Sequence, residues 1–486
     1  MLSHSVTCPF FLRTLLMPHP SLVSKGGFAL LAFIACARVG TAYASEPSGW
    51  DQAAQIVQRI RPPAFPDRTF PITEFGAVAG ADSTAAIAKA IEACHAQGGG
   101  HVVVPEGVFL TGAVHLLSHV DLHLSEGATL RFLTDPSAYL PVVFTRWEGV
   151  ECMNYSPFIY AFDQEDIGVT GTGTLDGSAG EAAWWNWARK SPGKKPIAAV
   201  DSKALNDLAD KGVAPEARVF GAGHFLRPNF IQPYRCRNVV VDGLTIVNSP
   251  MWEINPVLCT NVTVSNIKIS TIGPNNDGCD PESSRDVLID HCVFNTGDDC
   301  IAIKSGRNDD GRRVGVPAEN LVIRGCSMRD GHAGVAIGSE ISGGCRNVFI
   351  EDCTMDSPHL DRALRLKSNA KRGGVIENIY MRRTEVGQVN ESLLTVDFQY
   401  EEGSHGSFLP TVRNVQIDQV TVKGSPRIFY IAGIKGATID QIRVSNSAIS
   451  GLTAPEYVVF AGQVLLDNVQ VIPAKVAHGL NSREQP

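Results

Sequence analysis

The sequence predicts an all-β protein built as a right-handed parallel β-helix, with a short capping helix near its N-terminus. Two observations carry this prediction. A short template recurs through the second half of the chain, and one helical segment precedes a series of short strand-like runs. Such repeats cannot bury an apolar face alone, so neighbouring repeats must stack. With 44% hydrophobic residues, the 486-residue chain can fill the long core that stacking requires.

The repeated template joins two short alternating strands through a bend and carries an Asn or Asp marker. Successive markers lie 23 to 36 residues apart, which is typical of β-helix coils and too irregular for propeller blades. The markers are Asn238, Asn261, Asp286, Asn320, Asn347, Asn378 and Asn414. Residues six positions later should form one buried column, because equivalent positions in stacked coils lie about 4.8 Å apart. That column is Leu244, Ile267, Cys292, Cys326, Cys353, Thr384 and Val420.

Residues 1–44 have the features of a cleaved export signal. Arg13 and Lys25 accompany an apolar run that ends at the small-x-small sequence AYA, residues 42–44. Arg38 interrupts the run and makes it too short for a membrane span, and no later segment resembles one. We therefore expect an exported protein, periplasmic or secreted, with no membrane-embedded part, in which disulfides are permitted.

The remaining chain divides into a lead-in at 45–70, a β-helix domain at 71–475 and a flexible tail at 476–486. Within the lead-in, residues 53–60 can be helical. The capping helix should begin at Ser83 or Thr84, which can cap it, and end at the glycines 98–100.

An insertion at about 181–226 breaks the strand rhythm. Its three tryptophans and the neighbouring Lys190, Lys194 and Lys195 suit either a packed surface loop or a wall of a substrate cleft, because loops of this length are usually functional or disordered.

Four aspartates bracket one strand-like run: Asp277 and Asp280 precede it, and Asp298 and Asp299 follow it. Crowded carboxylates split their pKa values, and one acid can stay protonated near neutral pH. Acetal cleavage needs this arrangement, since one carboxylic acid protonates the leaving oxygen while another carboxylate handles water. A calcium site or a solvated acidic turn would use the same residues, because Asp-rich turns are common.

Four motifs occur in a fixed order: N-x-D-G-x-D at 275–280, G-D-D-C at 297–300, GHAG at 331–334 and R-L-K at 365–367. In that order they resemble glycoside hydrolase family 28, the polygalacturonases, over about residues 75–430. The resemblance implies a hydrolase that cleaves α-1,4-linked galacturonan in polygalacturonate or pectin by a single, inverting displacement. It implies no cofactor and no metal. Endo and exo action both stay open, and the insertion favours exo action.

The resemblance also implies the catalytic roles. Asp299 is expected to be the general acid, and Asp277 and Asp298 are expected to hold the attacking water as the base. His332 is expected to hydrogen-bond near the acid and to help set its protonation. GHA stands here where the family usually has GHG, and the substituted alanine keeps the imidazole in place.

Basic residues further along the chain suit an acidic sugar. Arg365 and Lys367 alternate on one strand, so both point to the same face. An Arg fork with a Lys charge fits a sugar carboxylate, which favours galacturonate over a neutral sugar. By resemblance Tyr400 lies near the cleft, with core packing as its alternative. Lys304 and Arg307 either extend the basic groove or solvate a turn.

The cysteines give two conflicting expectations. The predicted column makes Cys326 a buried small hydrophobic residue. The family resemblance implies that Cys300 is bonded to a cysteine just before the GHAG loop, which is Cys326.

The expected partner is an anionic polysaccharide, bound by a monomer. The net charge of −8 argues against nucleic acid as a partner. Three alternatives stay open: a pectin or pectate lyase, a rhamnogalacturonan hydrolase, and a polysaccharide-binding β-helix without activity. A lyase would use calcium and give unsaturated products, whereas the Asp pair with the histidine favours hydrolysis.

Overall fold

The computed structural model describes residues 49–188 and 195–473. The predicted export signal at 1–44 and the predicted tail at 476–486 lie outside the described residues, as do Lys190 and Lys194 of the insertion. None of the described helices is long and apolar enough to span a membrane.

Short strands dominate the described chain, and a few helices lie outside the coils. The helices are α1 (Gly49–Arg59), α2 (Thr84–Ala96), α3 (Trp185–Ala188), α4 (Ala198–Asp210) and α5 (Asn308–Val314), with 3₁₀ turns at Ile72–Phe75, Pro136–Tyr139 and Pro215–Ala217. The strands of the first half are β1 (Thr69–Pro71), β2 (Gly100–Val104), β3 (Gly107–Thr111), β4 (Val114–His115), β5 (Val120–Leu124), β6 (Ala128–Phe132), β7 (Val143–Trp147), β8 (Val150–Asn154), β9 (Ile159–Phe162), β10 (Glu165–Gly171), β11 (Thr174–Asp176), β12 (Val219–Phe220), β13 (Ile231–Tyr234), β14 (Arg237–Asp242) and β15 (Thr245–Val247). Those of the second half are β16 (Thr260–Ser265), β17 (Lys268–Thr271), β18 (Arg285–Asp290), β19 (Val293–Thr296), β20 (Ile301–Ile303), β21 (Ala318–Arg324), β22 (Ser327–Met328), β23 (Val335–Ile337), β24 (Cys345–Glu351), β25 (Thr354–Met355), β26 (Arg362–Lys367), β27 (Val375–Arg382), β28 (Glu385–Val386), β29 (Ser392–Asp397), β30 (Thr411–Asp418), β31 (Thr421–Val422), β32 (Arg427–Ala432), β33 (Thr438–Leu452), β34 (Tyr457–Val459) and β35 (Val464–Pro473).

Each coil supplies strands to three parallel tracks. The first track runs through β2, β5, β10, β14, β16, β18, β21, β24, β27, β30 and β33, and the second through β3, β6, β11, β15, β17, β19, β22, β25, β28 and β31. The third contains β4, β9 and β13, then β20, β23, β26, β29, β32 and β34, and single bridges at Ile254 and Cys279 join its two parts. Parallel strands connected in this way wind right-handedly. The fold is a right-handed parallel β-helix, as the sequence predicts.

The marker residues owe their identity to the backbone. All seven have φ between +55° and +61°, a left-handed conformation that Asn and Asp tolerate better than other side chains. Their side chains also form a ladder between coils. Asn347 Nδ2 donates to Asn320 Oδ1 at 3.0 Å, and Asn378 Nδ2 donates to Asn347 Oδ1 at 3.1 Å. The marker therefore fixes both the bend and the register of the coils.

The predicted column is buried, with no member more than 1% exposed. The expected disulfide is wrong, because the ten cysteines of the described chain are all free thiols. Cys326 Sγ faces the core beside the Ile289 carbonyl at 3.7 Å, whereas Cys300 Sγ lies 3.4 Å from the Asp330 carbonyl oxygen. Cys300 lies in the turn between β19 and β20, whereas Cys326 lies in the turn between β21 and β22, so the two thiols have separate partners.

The capping helix α2 covers the first coil with Ile87 and Ile91, each 1% exposed. Its start differs in detail from the prediction. Ser83 occupies the cap position without a side-chain cap bond, and Asp82 Oδ1 instead accepts hydrogen bonds from Thr84 N at 2.9 Å and Thr84 Oγ1 at 2.6 Å. A carboxylate at the start of the helix also interacts favourably with the helix dipole.

The lead-in packs along the outer face of the first track. Helix α1 spans more than the predicted 53–60, and its Ile56 packs against Val322 and neighbouring apolar side chains. Arg61 N then donates to Asn261 Oδ1 at 2.9 Å. The lead-in therefore packs against several coils and hydrogen-bonds to their outer face.

The insertion is a packed element with its own small core. Leu205 of α4 and Phe220 of β12 pack against Trp147 of the β7–β8 hairpin, which is antiparallel. Trp184 is 1% exposed and meets Tyr139 edge-to-face in the main core. The tryptophans therefore stabilise the insertion, and the insertion supports the hairpin.

Candidate active site

Three successive coils bring the sequence motifs together at the turns between the second and third tracks. Asp277 follows β17, Asp298 and Asp299 lie between β19 and β20, and His332 lies between β22 and β23. Backbone bonds set their register, since Gly278 N donates to the Asp299 carbonyl at 3.1 Å and His332 N donates to the Asp298 carbonyl at 3.0 Å. Carboxylate oxygens of the three aspartates lie within 4.8 Å of one another.

Asp298 is the member of this carboxylate cluster that pairs with the histidine. His332 Nδ1 lies 2.8 Å from Asp298 Oδ1. This contact raises the pKa of His332 to about 9 and holds the pKa of Asp298 below its usual range despite partial burial. The Asp298 side chain is 18% exposed, against 4% for Asp277 and none for Asp299. Asp298 is therefore the carboxylate most accessible from the groove.

The Asp299 side chain contacts the basic side chains of strand β26. Lys367 Nζ donates to Asp299 Oδ2 at 2.6 Å, and Arg365 Nη1 lies 3.8 Å from Asp299 Oδ1. The Lys367 side chain is itself only 7% exposed. These two contacts hold the Asp299 carboxylate against the basic side chains of β26.

Asp277 is nearly buried and faces Lys304 Nζ at 3.5 Å. Its pKa is raised well above its usual range, first by burial and next by the charge of Asp298, with Lys304 opposing the shift. Asp280, the fourth aspartate of the sequence pattern, lies outside the close cluster and is fully buried, and burial raises its pKa as well.

The cluster's spacing would also fit a cation, as the calcium alternative supposes. However, each of its carboxylates already faces a protein cation, namely His332, Lys304 or Lys367. This charge compensation distinguishes the cluster from an ordinary calcium loop, which presents mainly oxygen ligands.

The predicted substrate-binding residues are brought to the same place. Arg365 and Lys367 share one face of β26 while Leu366 enters the core, as alternation requires. Tyr400 follows β29, and its ring centre lies 5.4 Å from the Arg365 guanidinium carbon and 5.5 Å from Lys367 Nζ. The side chain lines the cleft, so core packing does not describe it.

Two recesses flank Asp298. One, here called the closed recess, has an empty volume of about 410 Å³, and the other, the open recess, has about 910 Å³. The closed recess is lined by Glu148, Trp252, Asn275, Asp277, Asp298, Lys304, Arg307, Ser339, Glu340, Lys367, Tyr400 and Glu401. The open recess is lined by Ala188, Ile272, Gly273, Pro274, Asn275, Gly297, Asp298 and His332.

An ion-pair group, here called the end wall, bounds the closed recess. Arg307 Nη1 lies 3.4 Å from Glu148 Oε2, and Arg307 Nη2 lies 3.2 Å from Glu401 Oε2. Glu148 belongs to the turn between β7 and β8, Arg307 precedes α5, and Glu401 follows β29. Burial raises the pKa of Glu148 to about 7 against the opposing charge of Arg307. Three distant segments thus meet across one end of the groove.

Buried charges anchor the hairpin that carries Glu148. Arg146 is 1% exposed, and its Nη1 lies 3.3 Å from Glu282 Oε1. Arg218 of the insertion donates to Asp310 Oδ1 at 2.8 Å, and Asp310 Oδ2 accepts from Glu151 N at 2.8 Å. The insertion, the hairpin and α5 are therefore tied to one another and to the coils.

The motifs did not reveal every residue of the site. Arg227, which no motif marks, donates from Nη2 to Asn275 Oδ1 at 2.6 Å, and burial lowers its pKa to about 10. Lys304 is buried beneath Trp252, with its ammonium 4.2 Å from the ring centre. From the sequence, Lys304 could either extend the basic groove or lie on a solvated turn. Its position beside Asp277 places it in the groove.

Comparison with known proteins agrees with this geometry. The family model described as Glycosyl hydrolases family 28 matches residues 223–459. A crystal structure of a hyperthermoactive exopolygalacturonase from Thermotoga maritima is 43% identical, with 87% of this chain and 96% of that chain covered and a TM-score of 0.84. The chain belongs to glycosyl hydrolase family 28.

Curated family 28 relatives match over a smaller share of their length. A probable polygalacturonase of Vitis vinifera is 31% identical over 59% of this chain and 53% of its own length. An exo-poly-alpha-D-galacturonosidase of Dickeya chrysanthemi is 27% identical over 78% of this chain and 63% of its own length. The chain thus spans between half and two thirds of these two relatives.

Proposed function

We propose that this family 28 protein hydrolyses α-1,4-galacturonosyl linkages of polygalacturonate or pectin and acts from the chain end. One observation carries the proposal: a cluster of three carboxylates, each facing its own cation, lies between a closed and an open recess. The names of the exo-acting Thermotoga maritima and Dickeya chrysanthemi relatives support the same activity.

The geometry supports Asp298, rather than Asp299, as the general acid. The resemblance suggested that His332 lies near the acid, and His332 contacts Asp298 at 2.8 Å. Because the pKa of His332 is raised and that of Asp298 is lowered, the proton rests on the imidazolium, and the pair would deliver it through Asp298 as the leaving oxygen gains negative charge in the transition state. Asp299 is held by Lys367 and has no exposed surface, so it is less able than Asp298 to reach a leaving oxygen in the groove.

Asp277 and Asp299 are proposed to hold the attacking water. They line up on neighbouring coils behind Asp298, and Lys304 and Lys367 lie within 3.5 and 2.6 Å of them. A water between these two carboxylates would donate to both, which orients its lone pair towards the groove. The sugar whose anomeric carbon is attacked would then occupy the closed recess, and the leaving sugar the open recess.

Arg365, Lys367 and Tyr400 are proposed to orient the carboxylate of the bound galacturonate. The Arg365 side chain is 11% exposed, and its planar fork suits a carboxylate. Lys367 serves two purposes, since it holds Asp299 and lines the closed recess. A neutral sugar would leave the excess charge of this strand unmatched, which supports galacturonan over neutral chains.

The end wall supports exo action. The closed recess ends at the Glu148–Arg307–Glu401 ion pairs, which are joined to a rigid hairpin. An internal residue of a long chain would have to continue through this wall. A chain end, by contrast, can insert one residue while the rest of the polymer leaves through the open recess.

We also propose export to the periplasm or medium, which the signal-like residues 1–44 support, and a monomeric state. Fractionation of cells with immunoblotting, together with N-terminal sequencing of the exported protein, tests the cleavage near residue 44. Sedimentation of the purified protein tests the monomer.

Product analysis on polygalacturonate with calcium chelated tests the activity. Saturated galacturonate released singly from the start of the reaction would support exo hydrolysis, and a ladder of oligomers would indicate endo cleavage. Unsaturated, ultraviolet-absorbing products that disappear on chelation would instead indicate a lyase. Absence of products on this substrate, with products on rhamnogalacturonan, would favour that alternative hydrolase.

A further inference from the structure

The end wall faces one particular atom of the substrate. This inference rests on the proposed function, in which the closed recess holds the residue whose anomeric carbon is attacked. In an α-1,4 chain the next residue would be attached through oxygen O4, on the side opposite the cleaved bond. Glu148 and Glu401 line the recess, so O4 of a residue bound with its anomeric carbon at Asp298 would point towards these two glutamates.

The chemistry at O4 differs between a chain end and the chain interior. A terminal residue has a free 4-hydroxyl, which donates a hydrogen bond, whereas an internal O4 is an ether oxygen that can only accept. A carboxylate can only accept when ionised, and for Glu148, whose pKa burial raises to about 7, this holds above pH 7. An end wall of carboxylates therefore favours a residue with a free 4-hydroxyl. It disfavours an internal residue, because the lone pairs of the linked O4 repel those of the carboxylates and because the wall leaves no room for the continuing chain.

The end wall has acceptor capacity left for such a hydroxyl. Arg307 contacts Oε2 of Glu148 at 3.4 Å and Oε2 of Glu401 at 3.2 Å. Within residues 49–188 and 195–473, neither Oε1 atom has a recorded hydrogen-bond partner. The two side chains are 23% and 38% exposed, so a ligand in the recess can reach them. Arg307 therefore holds both carboxylates in place and leaves an oxygen of each available.

We propose that Glu148 and Glu401, fixed by Arg307, recognise the free 4-hydroxyl of the chain end and make the enzyme specific for saturated non-reducing ends. Chain ends made by hydrolysis carry this hydroxyl. Ends made by β-elimination carry a C4–C5 double bond and no 4-hydroxyl. The substrates of this enzyme must then come from hydrolytic cleavage or from native chain ends, and not from eliminative cleavage.

The test compares two trigalacturonates that differ only at the non-reducing end, one saturated and one 4,5-unsaturated. With the full-length protein and calcium chelated, the saturated trimer should release galacturonate. The unsaturated trimer should react at least about 10²-fold more slowly in kcat/KM, because a site that pairs a substrate hydroxyl rejects an analogue without it strongly. Equal kcat/KM for the two trimers would overturn the inference. If neither trimer is hydrolysed, the proposed function itself fails, and the inference fails with it.

Substitutions of the two glutamates can distinguish recognition of the 4-hydroxyl from a purely structural role. Glu148→Ala with Glu401→Ala should lower kcat/KM for the saturated trimer about 10- to 100-fold, the range for a lost charged hydrogen bond. It should leave the slow reaction of the unsaturated trimer nearly unchanged, so the ratio between the substrates narrows. The matched control Glu385→Ala, an exposed carboxylate with 68% of its side chain accessible, should change neither. An equal loss on both trimers would mean that the two glutamates only support the recess, and would contradict the inference.

Discussion

Lys367 Nζ lies 2.6 Å from Asp299 Oδ2, and this contact distinguishes Asp299 from its sequence neighbour Asp298. The two aspartates are adjacent in the chain, yet their side chains have opposite surroundings. Asp299 faces a buried lysine, whereas Asp298 faces a half-exposed histidine and the groove. Their chemical roles must therefore differ, and substitutions can tell which residue donates the proton.

Asp298→Asn should lower kcat on polygalacturonate about 10²- to 10⁴-fold, the contribution of a general acid. The loss should shrink on an aryl galacturonide with a good leaving group, because such a group departs without protonation. Asp299→Asn should lose activity equally on both substrates, since activation of water is needed for each. Steady-state rates on the two substrates make the comparison. The reverse pattern would assign the acid to Asp299, as the resemblance first implied.

The pH profile should have an alkaline limb set by His332. Its pKa is raised from 6.5 to about 9 by Asp298, so the imidazolium is fully present below 6.5 and is lost as pH rises towards 9. Because the ring is 51% exposed, solvent screening places the limb within this interval rather than at its upper end. We expect kcat/KM to fall across this range, and His332→Gln to have low activity without the limb. An unchanged limb in His332→Gln would assign it to another group.

The anomer released first should be β, which means inversion of the α linkage. The nearest carboxylate oxygens lie within 4.8 Å, closer than the ~6.5–9.5 Å usual for inverting enzymes. Retention, however, needs a carboxylate that bonds to the anomeric carbon. Asp277 and Asp299 are at most 4% exposed and face lysines, so neither can reach the anomeric carbon of a sugar in the groove. Proton NMR of the early products identifies the anomer that is released first, and an initial α signal would indicate retention.

The marker ladder should contribute measurably to stability. Asn347→Ala removes two side-chain bonds and places alanine at φ +59°. We expect a loss of about 3–4 kcal/mol, from about 1 kcal/mol for each of the two bonds and about 1–2 kcal/mol of left-handed strain. Asn347→Gly removes the same bonds without the strain and should lose less. Chemical unfolding of the three proteins measures this, and equal losses for both variants would show that strain is not part of the effect.

Much of the fold could be predicted because repetition is visible in one dimension. The markers, the alternation after each of them and the buried column at Leu244 through Val420 all follow from the requirement that coils stack in register. The wrong disulfide shows the limit of this method. The positions of Cys300 and Cys326 in a motif order do not show which way each thiol points, and the two residues lie in different turns of the coils.

The sequence by itself determined the solenoid, the family and which residue types converge on the cleft, because the motifs keep a fixed place in successive coils. Only the tertiary structure decided the partner of each charge. Lys367 meets Asp299, His332 meets Asp298 and Lys304 meets Asp277. It also brought Glu148, Arg307 and Glu401 from separate segments into one end wall. The physical reason is that charge pairing and groove closure depend on side-chain direction and on non-repeating loops, neither of which a repeat specifies.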